Sequence, residues 1–442
     1  MLNCCNTTNC TDIHCSAGCE QTPIKTDIVS LEQVYDLALE NRSSIKAAAF
    51  DIQKQRRLQQ AALAGYFPQI SLNVPSLGPQ SDDFPQPDAI FTISQLIWSF
   101  ASPYDSYKIA QYDVEIAQYN RQLEINKAHH EAEAAHLTAW QREQEHQKIA
   151  ALFFATKTTF DAESHKYRIG LISKNDWLTA ASTSAEQQAR VQAYPSETAR
   201  TRGVLEQAIE TSLGDAKVIW DGIVPPELDS LDAYYEQALA LRPEIKIAQA
   251  EQAKAEKLDR FYQCKYLPTV SFASNVTYYT GFRRKKFTTW SVGVAFEWSF
   301  DGLASLFQAE ASQQQALQAE MENCNTVQQV KVEVQNAYHR LNELFEELQA
   351  EQTQLLQGKN AWALARKQYE LGLISKVEYT QALQAWEQTK FDWKTKKEAV
   401  AQEYRNLRFA CGYPIDTHVT TKPSKLQETS QAIDQILIQE RL

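Results

Sequence analysis

The chain has 442 residues, 43% of them hydrophobic and 22% charged, which is enough for two to four ordinary domains with a sizeable core. Its 13 Gly and 14 Pro fall below the usual usage of roughly 7% and 5%, so a loop-rich fold is excluded and long regular elements are expected. A net charge of −11 gives no general attraction to nucleic acid, and no run of about 18 apolar residues is present to form a transmembrane helix, although a membrane β-barrel needs none.

Five of the eight cysteines (Cys4, Cys5, Cys10, Cys15, Cys19) crowd residues 1–27, which read as a disordered, Cys-rich segment. Their spacing lacks the regular C-x2-C pairs of a zinc site. No basic stretch followed by an apolar one precedes them, so no signal peptide is legible, and Cys4 and Cys5 are candidates for acylation without an obvious export signal.

The first repeat is expected over 28–220. A helix from about 30 to 65 should break at Tyr66-Phe67-Pro68, because proline lacks an amide donor and pushes the preceding residue out of the helical region. Strands at about 68–76 and 89–100 follow, with the register unclear because Pro75, Pro79, Pro85 and Pro87 lie in or beside the connecting loop. A helical hairpin at about 104–213 turns at Gly170. A Pro-containing linker occupies 221–230.

The second repeat, 231–414, runs through the same elements. LEQVYDLALENRSSI (Leu31 to Ile45) realigns with LDAYYEQALALRPEI (Leu231 to Ile245) at a shift of 200. YFPQISL at Tyr66 meets YLPTVSF at Tyr266, and Trp98-Ser99-Phe100 meets Trp298-Ser299-Phe300 at the same shift. YRIGLISKNDW from Tyr167 meets YELGLISKVEY from Tyr369 at 202, and Leu213-Gly214 meets Cys411-Gly412 at 198. Landmarks that keep their order at a near-constant offset mark a duplication.

The strands of this copy are expected at about 268–280 and 287–300. Thr288, Trp290, Val292, Val294, Phe296, Trp298 and Phe300 alternate with polar or small residues, as a strand with one apolar face requires. The turn Arg283-Arg284-Lys285-Lys286 reads as a solvated tip. A helical hairpin at about 303–411 follows. Along it Val327, Val330, Val334, Ala337, Leu341, Leu344 and Leu348 step by three and four, a seam that continues through Leu355, Trp362, Ala365 and Tyr369. A helix from Leu303 to Leu371 would be on the order of 100 Å long, and Gly372 should end it. Residues 415–442 form a C-terminal tail.

Trp290 and Trp298 lie on one strand face, roughly 26 Å apart at about 3.3 Å per residue. An outer-membrane barrel carries an apolar band about 25 Å tall between aromatic girdles. Four strands cannot close a barrel, so a membrane role would require several copies.

Repeat, Tyr-x-Pro, strand pair, long helical hairpin and Gly-Leu-Ile-Ser at each turn together resemble the TolC-like outer-membrane efflux family over roughly 28–414. The resemblance implies a mixed α/β membrane protein, mainly long α-helices. A homotrimer would close a 12-stranded β-barrel in outer-membrane lipid and continue it as a helical tunnel in the periplasm. It implies a passive exit duct for drugs or secreted proteins, coupled through a periplasmic adaptor to an inner-membrane pump. By the same resemblance Gly170, Leu171, Ile172 and Ser173, with Gly372, Leu373, Ile374 and Ser375, are the adaptor-docking tips. Pro68 and Pro268 mark the helix–strand junctions, and Trp98, Trp290 and Trp298 the membrane girdle. Acidic residues near the tips, Asp161, Glu163, Glu370 and Glu378, are candidates for a cation-favouring periplasmic gate.

An enzyme is not expected. His129, His130 and His136 with Glu131 and Glu133 suggest a metal site, but the H-E-x-x-H spacing would need histidine where Ala134 stands, so surface imidazoles are expected instead. No nucleotide loop, dinucleotide fingerprint or G-x-S-x-G is present, and no cofactor is expected. A soluble coiled-coil scaffold is the rival reading, and it leaves the periodic aromatic strands unexplained. A pump adaptor would carry one helical hairpin, whereas this chain has two.

Overall fold

The computed structural model describes residues 28–74, 87–214, 216–220, 228–265, 267–280, 286–298 and 303–412. Cys4, Cys5, the charged turn at 281–285 and the C-terminal tail lie outside these residues. The chain divides into two compact units. One comprises Met1–Arg42, Ala128–Ile223 and Glu351–Thr395, and the other Ser43–Lys127, Val224–Ala350 and Lys396–Leu442.

In the first unit a two-residue strand β1 (Ile28–Val29) leads into α1 (Leu31–Asn41). Ser30 caps the helix: its hydroxyl accepts the Gln33 N–H while the Gln33 side chain accepts the Ser30 N–H, satisfying two otherwise orphaned donors. β1 pairs in parallel with β4 (Lys217–Val218). Val29, Val34 and Ala38 from this strap pack with Ala132, Ala135 and Trp140 of α3 (Pro103–Arg168) and with Leu205 and Ile209 of α4 (Lys174–Ile209). Small alanines on α3 let the strap approach closely, and the branched residues fill the remaining space.

The expected helix over 30–65 is two helices. α1 stops at Arg42, whose ψ of 122° is extended, and α2 (Ser43–Leu63) begins at the next residue. The second copy breaks at the same place, between α5 (Leu231–Leu241) and α6 (Pro243–Lys265), with Arg242 at ψ 126°. There Pro243 supplies the cause, since it disfavours helix at Arg242. The first copy has Ser43 instead, and a tertiary contact coincides with the break: the Arg42 guanidinium pairs with Glu131 of α3. Arg242 likewise pairs with Glu333 of α7 (Ala304–Glu370), and also with Glu244 at 3.0 Å. Burial opposes the charge of Arg242. The hydrogen bonds and charges of Glu244 and Glu333 outweigh it and hold the guanidinium above its ordinary pKa.

The second unit contains a four-stranded antiparallel sheet in the order β2 (Gln69–Asn73), β3 (Pro87–Ser99), β5 (Thr269–Thr280), β6 (Lys286–Glu297). Each copy contributes one hairpin, and β3 joins them by pairing with β5. Two register shifts interrupt β3, between Pro87 and Ala89 and between Leu96 and Trp98. β2 and β6 are the edges.

The helical hairpins close with α7 running into α8 (Lys376–Ala410). Along α7 the positions Val330, Val334, Leu341, Leu344, Leu348 and Leu355 are buried, whereas Trp362 and Ala365 are half-buried and Tyr369 is exposed. The apolar seam therefore fades toward the turn.

Candidate functional site: the strand face and the hairpin tips

Side chains opposite one another in an antiparallel pair share a face, so the register assigns the faces of the sheet. Val270, Phe272, Val276 and Tyr278 of β5 stand opposite Phe296, Val294, Trp290 and Thr288 of β6. On the other side Phe91 stands opposite Val276 and Ile93 opposite Ser274, and β2 adds Ile70 and Leu72 opposite Ile93 and Phe91. The reverse face carries Thr269, Ser271, Ala273, Asn275 and Thr277 against Glu297, Ala295, Gly293, Ser291 and Thr289. One face is thus mostly apolar and the other mostly polar or small, with Ile90 and Leu96 of β3 and the stacked Tyr279–Phe287 pair as apolar exceptions on the second.

Alternation along β3 would place Trp98 with the polar set, because Phe91, Ile93 and Gln95 are all odd-numbered. The irregularity at Ile97 changes the phase, and Trp98 lands opposite Val270 on the apolar face. Trp98 and Phe296 therefore stand on either side of Val270 near one rim, with Trp298 immediately beyond the end of β6. Trp290, opposite Val276, stands toward the other. Trp290 is 78% exposed and Phe296 70%, a large uncovered apolar surface on an edge strand with an unpaired backbone side. Among the described residues no helix is long and apolar enough to cross a membrane.

At the junction below the sheet, Phe67 is extended (ψ 154°) ahead of Pro68. The Tyr66 hydroxyl accepts the Tyr104 N–H at 3.2 Å and ties the junction to the start of α3. Pro268 directly precedes β5 in the same way.

The two tips share one construction. α3 ends with Gly170 at φ 76°, and α7 with Gly372 at φ 73°. The Gly170 N–H donates to Tyr167 O at 3.0 Å and the Leu171 N–H to Lys166 O at 2.9 Å. Gly372 and Leu373 bond in the same way to Tyr369 and Gln368, at 2.9 and 2.8 Å. This paired bonding satisfies the last carbonyls of each helix and requires a left-handed residue, which glycine supplies without a Cβ penalty. Ser173 then caps α4 and Ser375 lies immediately before α8. The Asp176 carboxylate accepts the Ser173 N–H at 3.3 Å, and Glu378 accepts the Ser375 N–H at 2.7 Å.

Across each turn two rings stack. Tyr167 lies on Trp177 at 5.3 Å and 17°, and Tyr369 on Tyr379 at 4.9 Å and 18°. The Trp177 indole also donates to the Ser164 hydroxyl at 3.2 Å. Such pairs are worth about 0.5–1.5 kcal/mol beyond their buried area. Leu171 and Leu373 project from the tips 71% and 70% exposed, while Ile172 and Ile374 are half-buried. The capping residue Asp176 and the stacked rings were not singled out in the sequence, although S-x-x-D and S-x-x-E directly after Gly-Leu-Ile are legible capping signals.

The acidic candidates near the tips have individual settings. Glu378 is a capping carboxylate, and its hydrogen bonds from the Ser375 backbone and side chain lower its pKa. Glu370 pairs with Arg366 at 3.2 Å, Glu163 lies 3.8 Å from Lys166, and Asp161 is exposed.

The expectation of surface imidazoles on α3 is overturned for His129 and His136, which are 5% and 0% exposed, as is Glu133 at 2%. Positions 129, 133 and 136 lie on one face of α3, and in this copy that face packs against the strap. The Tyr35 hydroxyl donates to Glu133 at 2.8 Å, the Tyr35 ring lies 4.8 Å from that of His129, and His136 lies beside Trp220. Polar residues hid a buried helix face from a hydropathy reading. Among the described residues no group of three His, Cys, Asp or Glu is placed to hold a metal.

Residues 234–413 match the family described as outer membrane efflux protein. The chain as a whole shares its fold with solved outer-membrane channel proteins. It aligns with the Campylobacter jejuni CmeC outer membrane channel at a TM-score of 0.71 and 14% identity, covering 92% of this chain and 88% of that one. The Vibrio cholerae outer membrane protein VceC aligns at 0.71 and 13%, covering 87% and 97%. The open state of the Neisseria gonorrhoeae MtrE outer membrane channel aligns at 0.68 and 14%, covering 89% and 94%. No curated protein matches the sequence.

Proposed function

We propose that this chain is an outer-membrane exit duct, working passively in a tripartite efflux or type I secretion system. The observation that carries the reading is the four-stranded sheet: one face mostly apolar between aromatic rims, the other mostly polar or small, and both edges unpaired among the described residues. In lipid every backbone group must be bonded, so such a sheet requires closure by further copies. Three copies give twelve strands, with Trp98, Trp290 and Trp298 at the membrane interfaces, the polar face lining a lumen, and the helical hairpins continuing as a periplasmic tunnel. Pro68 and Pro268 turn the chain from tunnel into barrel. Acylation of Cys4 or Cys5 would add an anchor.

The turns at Gly170 to Ser173 and Gly372 to Ser375 dock a periplasmic adaptor, which links the duct to an inner-membrane pump. No nucleotide-binding motif supplies work within the chain, so the energy comes from that pump. Asp161, Glu163, Glu370 and Glu378 are proposed to bias a gate near the tips toward cations. The test is to express the chain in its native context, separate the membranes and determine the mass of the detergent-extracted species. A trimer of the 50.3 kDa chain in the outer-membrane fraction is expected. A detergent-independent soluble oligomer would overturn the reading in favour of a coiled-coil scaffold.

A further inference from the structure

Each hairpin tip presents a leucine about 70% exposed at a place where no core is available to hold it. Helix ends without tertiary support fray, and a frayed tip would have to order itself on every encounter with a partner. Both tips carry the same remedy although their sequences differ. Tyr167 stacks on Trp177 in one and Tyr369 on Tyr379 in the other, within 5.3 Å and 18°. In each case the first ring sits three residues before the glycine, and the second follows the acidic residue that bonds the serine N–H. The stack therefore bridges the last turn of the incoming helix and the first turn of the outgoing one, with Gly-Leu-Ile-Ser looped between them. Retention of stacked rings in both copies, through different ring types, indicates that ring contact itself is the shared feature.

We propose that these two aromatic pairs are clasps that pre-order the tips, making Tyr167, Trp177, Tyr369 and Tyr379 positioning residues for the docking of the adaptor. The inference rests on the reading that Leu171 and Leu373 are docking residues. Pre-ordering removes a conformational cost from binding, so loss of a clasp weakens docking without removing any atom that the adaptor touches. The first tip, with the added indole bond to Ser164, is the more firmly held of the two.

The experiment uses the full chain in outer membranes. A trifluoromethyl-phenylalanine at Leu171 or Leu373 reports tip order by fluorine resonance, and a benzoylphenylalanine at the same positions reports adaptor contact by photocrosslinking in cells. Trp177→Ala and Tyr379→Ala should shift the resonance at their own tip toward the random-coil position and cut its crosslink about five- to tenfold. Trp177→Phe and Tyr379→Phe should restore both. Leu171→Ser, followed with the probe at Leu373, should leave the second tip ordered. An alanine variant whose tip stays ordered, or whose crosslink is undiminished, overturns the clasp while leaving docking intact. An ordered wild-type tip that yields no adaptor crosslink overturns docking itself, and with it any positioning role.

Discussion

The two copies of the duplicated unit solve the same anchoring problem with different degrees of burial. In the second copy Arg242 is sunk to 7% side-chain exposure between Glu244 and Glu333, and the turn at Gly412 rests on its backbone. In the first copy Arg42 keeps 17% side-chain exposure and pairs with Glu131, which at 55% is as open as Glu333 at 56%, and the matching Gly214 has nothing within 4 Å of where a Cβ would stand. The first copy instead buries His129, Glu133 and His136, where the second has Lys331, Gln335 and Tyr338, all half-buried or exposed. Duplication preserved an ion pair at the helix break, while each copy placed its polar burial elsewhere.

Glycine substitutions should break this comparison most sharply. Gly412→Ala would set a Cβ 3.0 Å from the Arg242 backbone at a left-handed residue (φ 75°), and a loss of about 2–3 kcal/mol is expected. Gly214→Ala, strained but uncrowded, should cost about 1 kcal/mol. Urea unfolding of the detergent-extracted protein reads both, and equal losses would count against the close packing of the second copy.

The arginines come next. Arg242→Ala strips the partner from Glu244 and removes buried packing, so about 2 kcal/mol should be lost, against about 1 kcal/mol or less for Arg42→Ala. Raising the salt concentration should narrow the contribution of Arg42 more than that of Arg242.

A smaller effect should sharpen the polar core of the first copy. Tyr35→Phe removes a 2.8 Å donor from the buried Glu133 and is expected to cost about 1–2 kcal/mol. The matching Tyr235→Phe in the second copy, at a half-buried position, should stay within about 0.5 kcal/mol.

The smallest effect is one of pH. Burial lowers the pKa of His130, with Glu131 opposing, whereas Val332 stands at the equivalent position in the second copy. The unfolded chain then takes up a proton near the ordinary value of 6.5 before the folded chain does. The stability His130 contributes is therefore present above that pH and is lost as the solution is acidified through the lowered value. His130→Gln should flatten the slope of stability between neutral and mildly acidic pH, and an unchanged slope would remove His130 as its cause.

The limits of sequence reading show in particular residues. Strand alternation reveals the apolar face of β6, because each residue there follows the period of two. It misplaces Trp98, since a bulge is a change of phase and is visible only once β3 has a partner. Gly170 and Gly372 announce their turns because a left-handed residue favours glycine, but the rings that stack across those turns are ten residues apart and meet only after the helices reverse. A hydropathy reading places His129 and His136 at the surface, and they are buried because α1 and β1 cover that face of α3.

What the sequence by itself determined is everything local or periodic: the duplication, the long helices, the strand alternation, the glycine turns and the Tyr-x-Pro junctions. These follow from backbone sterics and from side-chain spacing, which act within a few residues. The tertiary structure alone decided the break at Arg42, the joining of two hairpins through β3 and β5, the phase of Trp98 and the burial of the histidine face. Each depends on a partner distant in the chain, and the energy of burying or pairing a group belongs to the contact rather than to either residue.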